Sequence, residues 1–155
     1  MTTDLSKLDI TELASLISAK FQQRGITAIL VGGACATIYS DQRYRSFDLD
    51  YVAYDGNTTV DSALQELGFY REDRMYRHDK TPFLVDLVVP PVAIGSTIIT
   101  QFTRIKTQYG DLILLSPTDC VKDRLASFYY WNDRQGLEQA LYQSQKISSH
   151  ISPSP

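Results

Sequence analysis

Three carboxylates in apolar surroundings are the residues of this sequence best suited to chemistry. Asp48 and Asp50 lie in the run Ser46-Phe-Asp-Leu-Asp-Tyr-Val-Ala53. A strand places residues i and i+2 on one face, with Cα atoms roughly 6.6 Å apart at about 3.3 Å rise per residue. Asp48 and Asp50 are therefore expected to project together, with Phe47, Leu49 and Tyr51 pointing the other way into a core. Two adjacent carboxylates repel each other unless a cation or a proton intervenes, so a divalent metal is the first expectation. Asp86 is the sole polar side chain between Phe83 and Val89. An isolated buried carboxylate costs several kcal/mol unless it is paired or bound to a cation. If the two strands are neighbours, opposed Cβ atoms lie about 5 Å apart, and three carboxylates at that separation suit a hard cation such as Mg²⁺.

A second feature precedes the acidic pair. The apolar run Ile26–Val31 breaks at Gly32-Gly33, and the residues from Ala34 to Ser40 read as a helix that starts on the glycines. Such a turn brings backbone N–H groups close to a ligand, and the positive end of the helix favours phosphate. An anion cradle beside a metal cage describes a site for a nucleoside triphosphate (NTP).

The elements that must hold these residues follow from periodicity. Asp9 and Glu12 form a capping box for a helix over about 10–23, with Ile10, Leu13, Ile17 and Phe21 on one face and Gly25 at its stop. The acidic pair falls on a strand over about 46–53, which ends before the turn residues Asp55-Gly56-Asn57. A helix over 59–67, a strand over 69–78 and an apolar strand over 83–89 stopping at Pro90-Pro91 come next. A hairpin is expected over 103–115 around Tyr109-Gly110-Asp111. Ser116 as N-cap and Pro117 as first helical residue open a long helix to about Tyr130, and another covers about 133–145. The order predicts an α/β (α+β) fold, a central mixed β-sheet flanked by helices with a C-terminal helical cap. The expected organisation is a core over 1–115, helices over 116–146 packed on it in the same domain, and a flexible Ser/Pro-rich tail over 147–155.

Bulk properties fit that reading. The 155 residues are 43% hydrophobic, enough for one globular domain with a modest core. A net charge of −3 exerts no global pull on nucleic acid. Cys35 and Cys120 lie far apart in sequence without a Cys-x-x-Cys or Cys/His cluster, and are read as reduced buried thiols. The polar opening Met1–Asp9 and the lack of a long apolar run predict no signal peptide, no membrane span and a cytoplasmic location.

Gly32-Gly33, Asp48-Leu49-Asp50 and Asp86, in that order and setting, resemble the nucleotidyltransferase superfamily typified by DNA polymerase beta. The nearest look is to its small bacterial branch of minimal nucleotidyltransferases and abortive-infection nucleotidyltransferase toxins. Arg45-Ser46 before the acidic pair is similar to that branch's Arg-x-Ser/Thr-x-Asp-x-Asp form. The likeness is good over about 26–90 and weaker over 115–141, where Ser116-Pro117-Thr118-Asp119 and Asn132-Asp133-Arg134 echo the family's C-terminal helices. Two departures stand out. Gly33 replaces a serine whose hydroxyl touches phosphate in many relatives, so backbone amides, Ser46 or Arg45 must take over. The interval from Gly33 to Asp48 is long, implying an extended loop at about 40–44.

The resemblance implies a nucleotidyltransferase fold and transfer of a nucleoside monophosphate from an NTP to a hydroxyl acceptor (RNA, a protein or a small molecule). Asp48 and Asp50 would hold two Mg²⁺ or Mn²⁺ ions roughly 4 Å apart. Asp86 would ligate the acceptor-side metal and accept the hydroxyl proton. Gly32 and Gly33, with Arg45, Ser46 and Lys122, would bind the nucleotide. A cognate toxin or antitoxin partner is implied too, with a role in a toxin–antitoxin or phage-defence system.

Other readings are weaker. Asp48 and Asp50 on a solvated strand face is the plain alternative. An EF-hand fails because Val52 occupies a ligand position and Thr59 stands in place of the bidentate Glu. A sugar-nucleotide Asp-x-Asp needs a longer chain, and no GxxxxGK[ST] or GxGxxG is present. Arg71, Arg74, Arg77, His78 and Lys80 cluster around one strand, as a guide for a polyanionic acceptor or as charges protecting a sheet edge. The aromatic group Phe128–Trp131 is read as core or interface rather than as a base-stacking platform. A different class also stays open, an antitoxin-like module that binds nucleotide or a partner on the same fold with little or no turnover.

Overall fold

The computed structural model describes residues 3–41 and 46–150. Arg45 and most of the expected 40–44 loop lie outside the described residues. A 3₁₀ turn, Leu5–Lys7, leads into α1 (Ile10–Gln23), whose capping box is complete: Asp9 accepts from the Glu12 N–H and Glu12 accepts from the Asp9 N–H. Then follow β1 (Ala28–Val31), α2 (Gly33–Tyr39), β2 (Asp48–Ala53), α3 (Asn57–Glu66), β3 (Tyr70–Glu72), β4 (Met75–His78) and β5 (Thr81–Val88). A short hairpin of β6 (Ala93–Ile94) and β7 (Thr97–Ile98) precedes β8 (Thr103–Thr107), β9 (Gly110–Leu114), α4 (Pro117–Trp131) and α5 (Arg134–His150).

Seven strands form one mixed sheet in the order β3-β4-β5-β2-β1-β9-β8. β2 is central, antiparallel to β1 and parallel to β5. Its alternation divides the molecule. Leu49 and Tyr51 are fully buried on the face that α1 covers. Phe21 meets the Tyr51 ring edge-on at 5.3 Å, and the Tyr51 hydroxyl donates to the Ala14 carbonyl at 2.7 Å. The intervening Asp48 and Asp50 turn to the opposite face, where α2 packs on β1 and β2 and α4 and α5 pack on α2. The plain solvated-face alternative for Asp50 is thereby narrowed, because Asp50 is half-buried.

Several expectations need correction. Phe47 is 50% exposed, since it precedes the first paired residue of β2 and stacks on Phe83 at the sheet's end (centroids 5.9 Å). The single strand over 69–78 is a hairpin, because Asp73 adopts a left-handed conformation (φ 57°) that Asp tolerates well. β5 starts at Thr81, and Pro82 is accommodated beside the register shift between Tyr76 and His78. The second hairpin turns at Gln108-Tyr109, so that Gly110 and Asp111 are already in β9. The β6–β7 hairpin had no strand signal beyond two residues on either side of Gly95-Ser96.

The C-terminal helices differ as well. α4 begins as expected, with Ser116 Oγ accepting from the Asp119 N–H at 3.1 Å. α5 runs on through the first part of the expected tail to His150. No glycine or proline interrupts 137–152, and buried Gln139, Ala140 and Gln143 fasten the helix to its neighbours. Gln143 donates to the Pro117 carbonyl at 3.1 Å. Among the described residues, no helix is long and apolar enough to cross a membrane.

Candidate active site

The parallel pairing of β2 with β5 sets Asp50 directly opposite Asp86, and Asp48 opposite Leu84. Paired residues share a face, so the three carboxylates line one side of the sheet's centre. The opposite neighbour of Asp50 is Val31, the last residue of β1 before the glycine turn. Register alone therefore brings Gly32 beside Asp50.

Gly32 is required there for two reasons. Its φ of 75° and ψ of −159° are rarely open to residues with a side chain. A Cβ on Gly32 would also fall 2.5 Å from Asp50 Oδ2. The Asp50 carboxylate thus lies over the glycine backbone in space that any side chain would fill.

The electrostatics of Asp50 show an unbalanced site. Burial, then Asp86, then Asp48 push its carboxyl up to about 6, with Arg124 partly offsetting them. Hard carboxylate oxygens with excess negative charge are the donor set that Mg²⁺ or Mn²⁺ takes, so the residues fit a divalent cation chemically. Among the described residues, no three His, Cys, Asp or Glu groups are drawn together closely enough to hold a metal.

Gly33, the first residue of α2, faces a different pair. A Cβ built on it would lie 3.5 Å from Ser46 Oγ and 3.7 Å from Arg124 Nη1. Ser46 is anchored locally: its hydroxyl donates to the Asp48 carbonyl at 3.2 Å and accepts from the Asp48 N–H at 3.4 Å. A hydroxyl and a guanidinium thus border the space where relatives of the expected pattern carry a serine side chain.

The basic side chain that α4 brings to this space is Arg124, which no sequence motif marks, and not Lys122. Lys122 is exposed on α4. Two residues turn a helix by about 200°, so Lys122 and Arg124 cannot share a face. The signal was available: Cys120 is fully buried, and Arg124 follows it at i+4 on the inward face. The Arg124 side chain is only 12% exposed, with Nη2 2.7 Å from Asp123 and Nη1 3.9 Å from Asp133. Burial disfavours its charge, but these carboxylates outweigh that and raise its pKa.

The basic cluster is partly dispersed. Arg77 pairs with Glu72 at 3.2 Å, and His78 Nε2 contacts the Leu67 carbonyl at 3.1 Å. Arg71 and Arg74 line a cavity of about 440 Å³ that adjoins Asp86. Cys35 and Cys120 are free, buried and in contact, and burial pushes the Cys35 thiol well up.

No protein-family model matches the sequence, and no curated protein matches it either. Solved structures do. The chain is similar to an antigenic nucleotidyltransferase-like protein from Paracoccidioides brasiliensis, with a TM-score of 0.64 and 15% identity over 94% of this chain and 78% of that one. It is also similar to the antibiotic-resistance factor ANT(2'')-Ia in solution, with a TM-score of 0.57 and 13% identity over 94% of this chain and 86% of that one. At these identities the likeness establishes architecture: the chain has a nucleotidyltransferase fold.

Proposed function

We propose that the protein is a metal-dependent nucleotidyltransferase that moves a nucleoside monophosphate from an NTP to a hydroxyl acceptor. The observation that carries this reading is the Asp50–Asp86 opposition, with a half-buried carboxylate held short of its ordinary acidity by burial first and then by its carboxylate neighbours Asp86 and Asp48. Such a cluster is unfavourable as it stands and becomes favourable once a divalent cation balances it.

Asp48, Asp50 and Asp86 would hold Mg²⁺ or Mn²⁺, which when bound offsets phosphate charge and polarises the reacting oxygens. The turn at Gly32-Gly33, Ser46 Oγ and Arg124 receive the β- and γ-phosphates. Asp86, on the outer side of Asp50, takes the proton of the attacking hydroxyl as the oxygen bonds to the α-phosphorus. The bond to pyrophosphate breaks, and pyrophosphate leaves with the electron pair. The acceptor class is RNA, a protein or a small molecule. A place in the minimal or abortive-infection branch, a toxin–antitoxin setting with a cognate partner and a cytoplasmic location belong to the same reading. So does Arg45 as a further nucleotide contact.

One other reading is an antitoxin-like module that binds nucleotide or a partner on the same fold without turnover. Incubation with Mg²⁺, each α-labelled NTP and a cell extract separates the two. Label should appear in RNA, protein or a small molecule and vanish in Asp50→Asn. Nucleotide binding without transfer, or transfer indifferent to Asp50→Asn, would replace the enzyme by the binding module.

A further inference from the structure

The last turns of α4 carry large aromatic side chains that the fold does not bury. Trp131 is 82% exposed and Tyr130 65% exposed. Both line a groove of about 720 Å³ between α4 and the β6–β7 hairpin, together with Ser96, Asp123, Arg124 and Ser127. The hairpin approaches closely there: a Cβ on Gly95 would lie 3.9 Å from the Tyr130 hydroxyl. One end of the groove is thus aromatic, and the other is charged. The charged end is shared with the candidate active site, because Arg124 also stands over Gly33 and acts electrostatically on Asp50.

An amphiphilic ligand with a flat aromatic end and an anionic end that competes with Asp123 for Arg124 matches this gradient. We propose that the groove seats the nucleobase of the NTP, stacked on Trp131 and Tyr130, with the ribose passing Arg124 toward Gly33. The proposal rests on the nucleotidyl-transfer reading for the identity of the ligand. Stacking accounts for aromatic rings that remain in water, where core packing does not. Ser96 supplies a hydroxyl at the groove wall for the edge of a base, while the Ser127 hydroxyl donates to Asp133 at 3.1 Å and Asp123 holds Arg124 at 2.7 Å. The volume accommodates a nucleoside-sized group.

Trp131 is the protein's one tryptophan, so its fluorescence reports on this groove alone. The test titrates the full chain with adenosine, guanosine, cytidine and uridine, with the four NTPs, and with inorganic tripolyphosphate, against free tryptophan amide as absorbance control. At least one nucleoside and its NTP should quench Trp131, and tripolyphosphate should not. Tyr130→Leu keeps the reporter and should weaken the quenching about tenfold, with a similar rise in the KM for NTP and little change in kcat. Trp131→Leu should raise that KM to a like extent. Tyr70→Leu, an exposed aromatic on the sheet-edge strand β3 and not in the groove, should change neither.

Failure of this proposal and failure of the transfer reading look different. Turnover that depends on Asp50 but keeps its KM in Tyr130→Leu and Trp131→Leu overturns the base site and leaves the enzyme standing. Quenching by a nucleoside with no turnover leaves the base site standing and removes the enzyme. Fluorescence that changes on protein dilution and ignores every nucleoside assigns the aromatic pair to self-association and overturns the proposal.

Discussion

Asp50 and Asp86 face each other across a parallel strand pair, and the Asp50 carboxylate leans over the bare backbone of Gly32. This relationship sets a cost in stability against a use in chemistry. Replacing Asp50 by Asn keeps the shape and removes the charge. In the metal-free protein at neutral pH, Asp50→Asn should raise stability by on the order of 2–3 kcal/mol, the value of a carboxyl moved from 3.8 to about 6. The same change should reduce nucleotidyl transfer by orders of magnitude. Urea unfolding with chelator present, set beside the transfer assay, checks both halves. A destabilised variant would mean that Asp50 is already balanced by a partner.

The sign of the pH dependence follows from the same shift. A carboxyl raised to about 6 in the folded chain keeps its proton where the unfolded chain has lost it. The folded state then binds more protons between about pH 4 and 6, so stability falls as pH rises through that window and levels off above it. Subtracting the Asp50→Asn profile from that of the parent isolates this contribution from every other group. Added Mg²⁺ should reverse the loss, raising Tm more at pH 7.5 than at about pH 5, where the proton competes with the ion. A Tm indifferent to Mg²⁺ at both pH values would count against a cation site.

Much of this arrangement was legible in the sequence, and the unread parts share a cause. Period-two alternation placed Asp48 and Asp50 on one face, and the lone charge in an apolar run picked out Asp86. The capping signals at Asp9 and Ser116 marked both helix starts to the residue. What was missed depends on contacts distant in sequence. Arg124 gains its meaning only when α4 folds back on α2, over ninety residues from Gly33. The Asp50–Asp86 register needs the β2–β5 pairing, which α3 and a hairpin separate in the chain. The β6–β7 hairpin is too short to show alternation, and α5 outran its expected end because packing on α4 holds a polar helix that propensity alone leaves weak.

Gly32 admits a direct test of the cradle. Gly32→Ala meets both a positive φ and the carboxylate of Asp50, since its methyl would sit 2.5 Å from Oδ2. Strain at that backbone conformation costs about 1–3 kcal/mol, and the displaced carboxylate loses its position as well. Both stability and transfer should fall. Gly33→Ser is the opposite case, because its Cβ would make only ordinary contacts with Ser46 and Arg124. That variant should fold as well as the parent and keep or improve its affinity for NTP. Thermal melts and KM values distinguish the two glycines. Equal tolerance at both positions would show that the turn does not constrain Asp50.

Arg124 and Lys122 give the sharpest contrast on one helix. Lys122 is exposed, and Lys122→Met should alter stability by less than about 0.5 kcal/mol and the KM for NTP by less than about twofold. Arg124→Met strands Asp123 beside an acidic site, leaves Asp133 with only its bonds from Ser127 and the Gly136 N–H, and removes the guanidinium above Gly33. Partly buried pairs are worth less than fully buried ones, so a stability loss of about 1–2 kcal/mol is expected. The KM for NTP should rise about tenfold or more, since charge-assisted contacts to phosphate are among the strong ones. Arg124→Lys keeps the charge without the planar fork, so it should recover stability more fully than affinity. Binding of tripolyphosphate by calorimetry reads the phosphate contact without the base. If Arg124→Met left that binding unchanged while lowering Tm, Arg124 would be a tether between α4 and α5 and the phosphates would be held by the Gly32-Gly33 turn and Ser46.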